Sequence, residues 1–200
     1  MLEKLRLYFL VNLSHKCDFK QKQVKEVRET NKRILDVCCG SRMFWFDKKR
    51  TDTVYMDNRI FEGTCCDGRH INVTPDIVGD FRKIPFEDET FSLVVFDPPH
   101  LVKAGESSWL VQKYGKLDPE HYQEDIRTGF IECFRVLKPD GVLIFKWNET
   151  DIPVSEIVSL SPYPPLFGHR SGKRSNTHWM CFMKDEREIE VESDQITTTE

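Results

Sequence analysis

Asp97-Pro-Pro-His100 directly follows the apolar run Phe91 to Phe96, so a carboxylate emerges where a strand-like segment ends. Pro98 biases Asp97 toward an extended backbone, Pro99 does the same to Pro98, and neither ring nitrogen has a hydrogen to donate. The segment reads as a stiff corner offering a carboxylate and a bare backbone carbonyl. Two such acceptors suit the two hydrogens of a planar amino group. They help release its delocalised lone pair, and the carboxylate stabilises the positive charge that builds on nitrogen as it attacks an electrophile. Positioning and electrostatics would carry most of that rate, with no covalent intermediate. His100 has three readings: stacking on the acceptor ring, steering the departing proton, or packing.

Three further acids stand at the ends of short apolar runs: Asp36, followed by Val37 and the turn Cys38-Cys39-Gly40; Asp57; and Asp80, followed by Phe81. Any one of them alone is more often a turn former or helix cap. Four acids at four strand ends form a pattern, because open α/β sheets bind ligands off the carboxyl ends of their strands. Two cofactor classes compete for that place. A dinucleotide needs G-x-G-x-x-G so that backbone can approach a pyrophosphate, whereas the turn from Cys38 to Arg42 holds one glycine. S-adenosylmethionine carries no phosphate, so a turn with one glycine and small neighbours can still pass close beneath it. Asp57 can take ribose hydroxyls in either class.

The elements that must position these groups follow from the hydrophobic pattern. Strands are expected at Arg33 to Val37, Thr53 to Met56, around Asp76 to Val78, at Phe91 to Phe96 and at Val142 to Phe145, mostly as short apolar runs bounded by Gly, Pro or Asp. The clearest helix is expected to be capped by Asp118, with Pro119 at its first position and Ile126, Phe130, Cys133, Phe134 and Leu137 along one face. It should end at the turn Lys138-Pro-Asp-Gly141. Strand, crossover helix and strand, repeated, predict an α/β fold with a doubly wound, mostly parallel sheet and helices on both faces. Thr177 to Met183 reads as a final strand after a proline-rich bend.

At 200 residues the chain suits one domain with tails. The expected division is a helical covering segment over 1–32, the α/β domain over 33–184 and a polar tail over 185–200. A hydrophobic content of 39% against 31% charged residues fits a soluble globular protein. The net charge of -4 argues against coating a nucleic acid by bulk electrostatics, so any such contact must be local. The local candidate is His169-Arg170-Ser-Gly-Lys-Arg174, which reads otherwise as a solvated loop. Seven cysteines, two pairs of them vicinal, make a poor disulfide framework and fit free thiols in the cytoplasm. No signal core or membrane span is expected. Cys65, Cys66 and His70 lack the usual zinc-ligand spacing, so no metal is expected.

Taken together, Ile34-Leu-Asp-Val-Cys-Cys-Gly40, Asp57, Gly79-Asp-Phe-Arg-Lys-Ile-Pro-Phe86, Phe91 to His100 and Phe134-Arg-Val-Leu-Lys-Pro-Asp-Gly141 resemble class I S-adenosylmethionine-dependent methyltransferases. Within that class they resemble the amino-methylating enzymes marked by D/N-P-P-Y/F/W. The likeness runs from about Arg33 to Lys184. With Pro165-Leu-Phe-Gly-His169 it is similar to small methyltransferases of phages and bacterial mobile elements. The resemblance implies a seven-stranded Rossmann-like sheet, with S-adenosyl-L-methionine as cofactor. It puts Asp36, Val37, Cys38, Cys39 and Gly40 around the cofactor's methionine part, Asp57 on the ribose, and Asp80 with Phe81 at the adenine. Asp97, Pro98, Pro99 and His100 fall on the catalytic motif.

The implied reaction is methyl transfer to an exocyclic amino group of a nucleobase, adenine N6 in DNA before RNA. A methyltransferase acting on RNA, a small amine or a protein is the alternative, and a non-catalytic module that binds the cofactor is a second. Two departures stand out: Cys38 and Arg42 occupy positions where the family's first turn usually has glycine, and His100 replaces the usual aromatic. The insert Val102 to Leu117 is a candidate lid, in which Trp109 and Tyr114 either supply a stacking face or anchor the loop. His169 and Arg170 are candidate nucleic-acid contacts. A base-directed enzyme must flip its target or act on single strands. With no separate recognition domain in view, a protein partner is one possible source of target recognition.

Overall fold

The computed structural model describes residues 32–64, 68–105, 108–172 and 175–185. The expected covering helix, the tail beyond Asp185, Cys65 and Cys66, and Lys173 and Arg174 lie outside the described residues. Among the described residues, seven strands form one sheet in the order β5-β2-β1-β6-β7-β9-β8. These are β1 (Ile34–Asp36), β2 (Thr53–Asp57), β5 (Ile77–Val78), β6 (Phe91–Phe96), β7 (Leu137–Asn148), β8 (Phe167–Arg170) and β9 (Thr177–Met183). β5, β2, β1, β6 and β7 pair in parallel, while β9 runs antiparallel to both β7 and β8. The expected doubly wound, mostly parallel Rossmann-like sheet is therefore the fold. From β1 the chain builds outward through β2 to β5, then returns to build β6 and β7 on the other side. That makes the gap between the carboxyl ends of β1 and β6 the switch point, where such sheets bind ligands.

The helix α2 (Tyr122–Val136) links β6 to β7 and buries Ile126, Phe130, Cys133 and Phe134 on one face. Phe130 lies 4.7 Å from Phe145 and 5.7 Å from Phe96, centroid to centroid, and Phe96 lies 5.5 Å from Phe145. This aromatic layer clamps β6 to β7 one residue before the positions that matter. Trp147, fully buried, donates its indole N–H to the Ile152 carbonyl at 3.0 Å and so satisfies the one polar atom it carries inward.

Two local expectations are corrected. The helix begins at Tyr122, later than Asp118 and Pro119 implied, because Asp118 first closes a turn: its carboxylate accepts the Glu120 N–H and its carbonyl accepts those of His121 and Tyr122. Lys138 to Gly141 is a bulge inside β7, not a turn between elements. Leu137 already pairs with Phe91, the register then shifts, and Asp140 takes a left-handed φ of 59°. There β9 extends the pairing, with N–H groups of Asp140 and Lys184 bonded across at 3.0 and 2.9 Å.

An unexpected hairpin, β3 (Phe61–Thr64) and β4 (His70–Val73), is inserted between β2 and β5. Its buried residues Ile71 and Val73 pack with Phe61 and with Trp109 of the short helix α1 (Trp109–Tyr114), forming a cluster separate from the main core. Ser108 caps α1 through the Leu110 N–H. The helix α3 (Val154–Val158) follows β7.

Candidate functional site

The turn after β1 ties three strands together. Val37 donates its N–H to Val95 of β6, Cys39 to Met56 of β2, and Gly40 to the Asp57 carboxylate, at 2.9, 2.8 and 2.9 Å. Gly40 sits at φ 48° with open space where a side chain would project, so the backbone there can lie against a ligand. Arg42 stands in the same turn. It keeps a left-handed φ of 53°, and its guanidinium is held 3.7 Å over the Tyr55 ring and bonded to the Lys48 and Thr74 carbonyls and to Asp76. These contacts offset the backbone cost.

These groups border a cleft of about 440 Å3 at the switch point, within the usual range for small-molecule sites. Of the residues singled out in the sequence, Val37, Cys38, Cys39, Gly40, Asp57, Phe81, Asp97, Pro98, Pro99, His100 and Tyr114 line it. Asp36 lies beneath the lining, fully buried, with Trp45 donating to one carboxylate oxygen at 2.7 Å. The other oxygen, Oδ1, is buried with no hydrogen-bond partner among the described residues.

The remaining candidates are elsewhere. Asp80 is gripped by Arg82 at 2.6 Å outside the lining, where it shapes the loop that presents Phe81. Trp109 is absorbed by the hairpin cluster, so of the two aromatics it is Tyr114 that reaches the cleft. His169 and Arg170 belong to the exposed strand β8 and do not line the cleft; Arg170 pairs with Glu149.

The corner at the end of β6 has a partner that the sequence reading missed. Lys146 of β7 places its Nζ 2.5 Å from Asp97 Oδ2. Because Phe96 pairs with Phe145, residues 97 and 146 are cross-strand neighbours. They are the residues that follow two expected strand ends, so drawing that pairing was the available signal. His100 is half-buried, with its ring 5.4 Å from Tyr114 and 6.3 Å, edge-on, from Trp147. Gly115, just after α1, takes φ 77° and ψ -177°, and a Cβ there would stand 3.1 Å from Pro99. The segment expected as a lid thus packs its C-terminal end on the proline corner. Arg59, Lys113 and Lys116 also line the mouth, and Arg59 donates to the Lys113 carbonyl at 2.8 Å. None of these three stands in a pattern that sequence periodicity marks.

Burial dominates the electrostatics. It pushes the Asp36 carboxyl up to about 7, against the Trp45 hydrogen bond and with help from the charges of Asp97 and Asp57. Burial also raises Asp97, and the Lys146 ammonium opposes it by charge and hydrogen bond. His100 is lowered to about 4, by desolvation first and by Lys146 second, so it is a neutral imidazole at neutral pH. Cys38 and Cys39 are held as thiols by burial and by the nearby carboxylates, which removes them as nucleophiles. Among the described residues no group of His, Cys, Asp or Glu gathers as a metal cluster, and no helix is long and apolar enough to cross a membrane.

No protein-family model matches the chain, and no curated protein does. Solved structures similar to it include the PH0226 protein of Pyrococcus horikoshii, at 16% identity over 84% of this chain and 90% of that one, with a TM-score of 0.47. The N-methyltransferase NodS of Bradyrhizobium japonicum is 13% identical over 84% of this chain and 98% of that one, with a TM-score of 0.48. The 1,6-didemethyltoxoflavin-N1-methyltransferase of Burkholderia thailandensis, solved with 1,6-didemethyltoxoflavin and S-adenosylhomocysteine, is 11% identical over 91% of this chain and 88% of that one, with a TM-score of 0.48.

Proposed function

We propose that the chain is an S-adenosylmethionine-dependent methyltransferase acting on an exocyclic amino group of a nucleobase, adenine N6 in DNA first. The observation that carries this reading is the convergence of the Gly40 turn, Asp57, Phe81 and Asp97 to His100 on one cleft at the switch point. The residues present fit the cofactor. Gly40 leaves open space for a close approach, Asp57 offers acceptors for a ribose diol, and Phe81 offers an apolar wall for adenine. Asp36 lies buried beneath the methionine end, where a positive group would favour its ionised form. S-adenosylmethionine supplies the sulfonium methyl group when bound.

The protein's own part is positioning and electrostatics. Asp97 and the Pro98 carbonyl accept the two amino hydrogens, so the nitrogen lone pair is free to attack as the methyl carbon leaves sulfur. Asp97 stabilises the charge that builds on nitrogen and takes the proton it gives up. Neutral His100 and Tyr114 give the planar acceptor ring a wall. Arg59, Lys113 and Lys116 at the mouth suit an anionic polymer despite the net negative charge of the chain.

The test is transfer of a labelled methyl group to DNA, RNA and small amines, followed by digestion to nucleosides. Label in N6-methyl-2′-deoxyadenosine from DNA is the expected result, lost in Asp97→Ala while S-adenosylhomocysteine still raises the melting temperature. Transfer that persists in Asp97→Ala sinks the reading. Label found only in RNA, amines or protein moves the acceptor to those classes.

A further inference from the structure

The corner that should hold an amine already holds one. Lys146 Nζ lies 2.5 Å from Asp97 Oδ2 and 5.7 Å from the ring centroids of both Phe44 and Trp179. A carboxylate with two aromatic faces is the recognition set for an alkylammonium ion. Here the ion is the chain's own side chain, fixed on a strand that pairs on both edges. Lys146 lines the cleft, so its charge acts at the acceptor's place. The other charged groups of the cleft are Asp57 from β2 and, at its mouth, Arg59, Lys113 and Lys116; Asp36 lies beneath the lining, and His100 is neutral.

We propose that Lys146 is a specificity-determining residue: its ammonium fills the subsite that a cationic acceptor would need and reserves the Asp97 corner for neutral, planar amines. The role rests on the methyl-transfer reading for the word acceptor, but the exclusion of cations is a property of the site itself. A neutral amine still finds Asp97 Oδ1 and the Pro98 carbonyl. An alkylammonium ion, as carried by a lysine side chain or a polyamine, meets a like charge a few ångströms away and loses the carboxylate oxygen it would pair with. Such a juxtaposition in a partly desolvated site is worth about tenfold or more in affinity.

The experiment uses the full chain as wild type, Lys146→Met, Lys146→Gln and Lys146→Arg, each checked for folding by its melting curve. In the first arm n-butylammonium chloride is titrated and followed by calorimetry. Lys146→Met and Lys146→Gln are expected to bind it about tenfold or more tightly than wild type. Lys146→Arg restores exclusion, and Asp97→Asn added to Lys146→Met abolishes the gained binding. In the second arm kcat/KM is compared between an adenine-containing oligonucleotide and n-butylamine. The preference of wild type for the oligonucleotide falls about tenfold or more in Lys146→Met and is kept in Lys146→Arg.

Folded Met and Gln variants that bind n-butylammonium no better than wild type overturn the proposal. So does a wild type that binds it as tightly as they do. A wild type that transfers methyl to no acceptor overturns the function proposed above instead, and the titration still decides the role of Lys146.

Discussion

Asp36 is a fully buried carboxyl with one oxygen accepting from Trp45, and burial pushes it up to about 7 from an ordinary 3.8. A folded-state value raised in this way means that the stability it contributes is fully present below the unfolded value and is lost as pH rises through about 7. The ligand-free protein should therefore lose melting temperature between about pH 4 and about pH 7, and Asp36→Asn should flatten that slope, as read by thermal melts across the range. A ligand that brings a positive group over Asp36 favours the ionised form, so S-adenosylhomocysteine should bind more tightly as pH rises through the same window. Calorimetry in two buffers of different ionisation enthalpy checks this by counting protons released on binding. At this scale the sequence was legible where a functional group ends a strand: Gly40, Asp57, Phe81 and Asp97 all stand where the apolar runs stop. Lys146 was hidden because its partner is supplied by strand pairing, and a lysine after a buried run reads alone as a solvated end.

Elements explain why one half of the insert reached the site and the other did not. Trp109 opens α1 and faces the hairpin, while Tyr114 closes it and faces the cleft, so a helix of six residues joins two environments. The hairpin itself was not legible: β3 and β4 do alternate inward and outward positions, but each is four residues long and among the described residues only Ile71 and Val73 are buried, too short a pattern to stand out. Gly115 is the hinge of this arrangement: its φ 77° and ψ -177° lie in a region that only glycine adopts freely. Gly115→Ala should cost on the order of 1–3 kcal/mol locally and push α1 off Pro99, lowering kcat/KM for the methyl acceptor more than it lowers the melting temperature. Trp109→Ala makes a different prediction. Hydrogen exchange should quicken in the amides of β3 and β4 while β6 and β7 stay protected, because the hairpin cluster is separate from the main core. Uniform deprotection across both would mean that the cluster is not an independent unit.

Across the whole molecule, the site is a by-product of how the sheet is wound and clamped. The order β5-β2-β1-β6-β7 opens the cleft, and the aromatic layer of Phe96, Phe130 and Phe145 holds β6 against β7 so that Asp97 and Lys146 meet beyond it. That topology was legible because each strand is a short apolar run with its own stop, and parallel strands buried on both faces have few other solutions. Scaffold and site should then separate energetically. Phe130→Ala removes a fully buried ring and should cost roughly 3–5 kcal/mol of global stability. Phe130 does not line the cleft, so the stability gained from a saturating ligand should survive unchanged. Denaturant titrations with and without S-adenosylhomocysteine give both quantities. An equal drop in stability with and without ligand supports a rigid scaffold, whereas a ligand increment that collapses along with the core would show that the clamp sets the spacing of the cleft and not only its support.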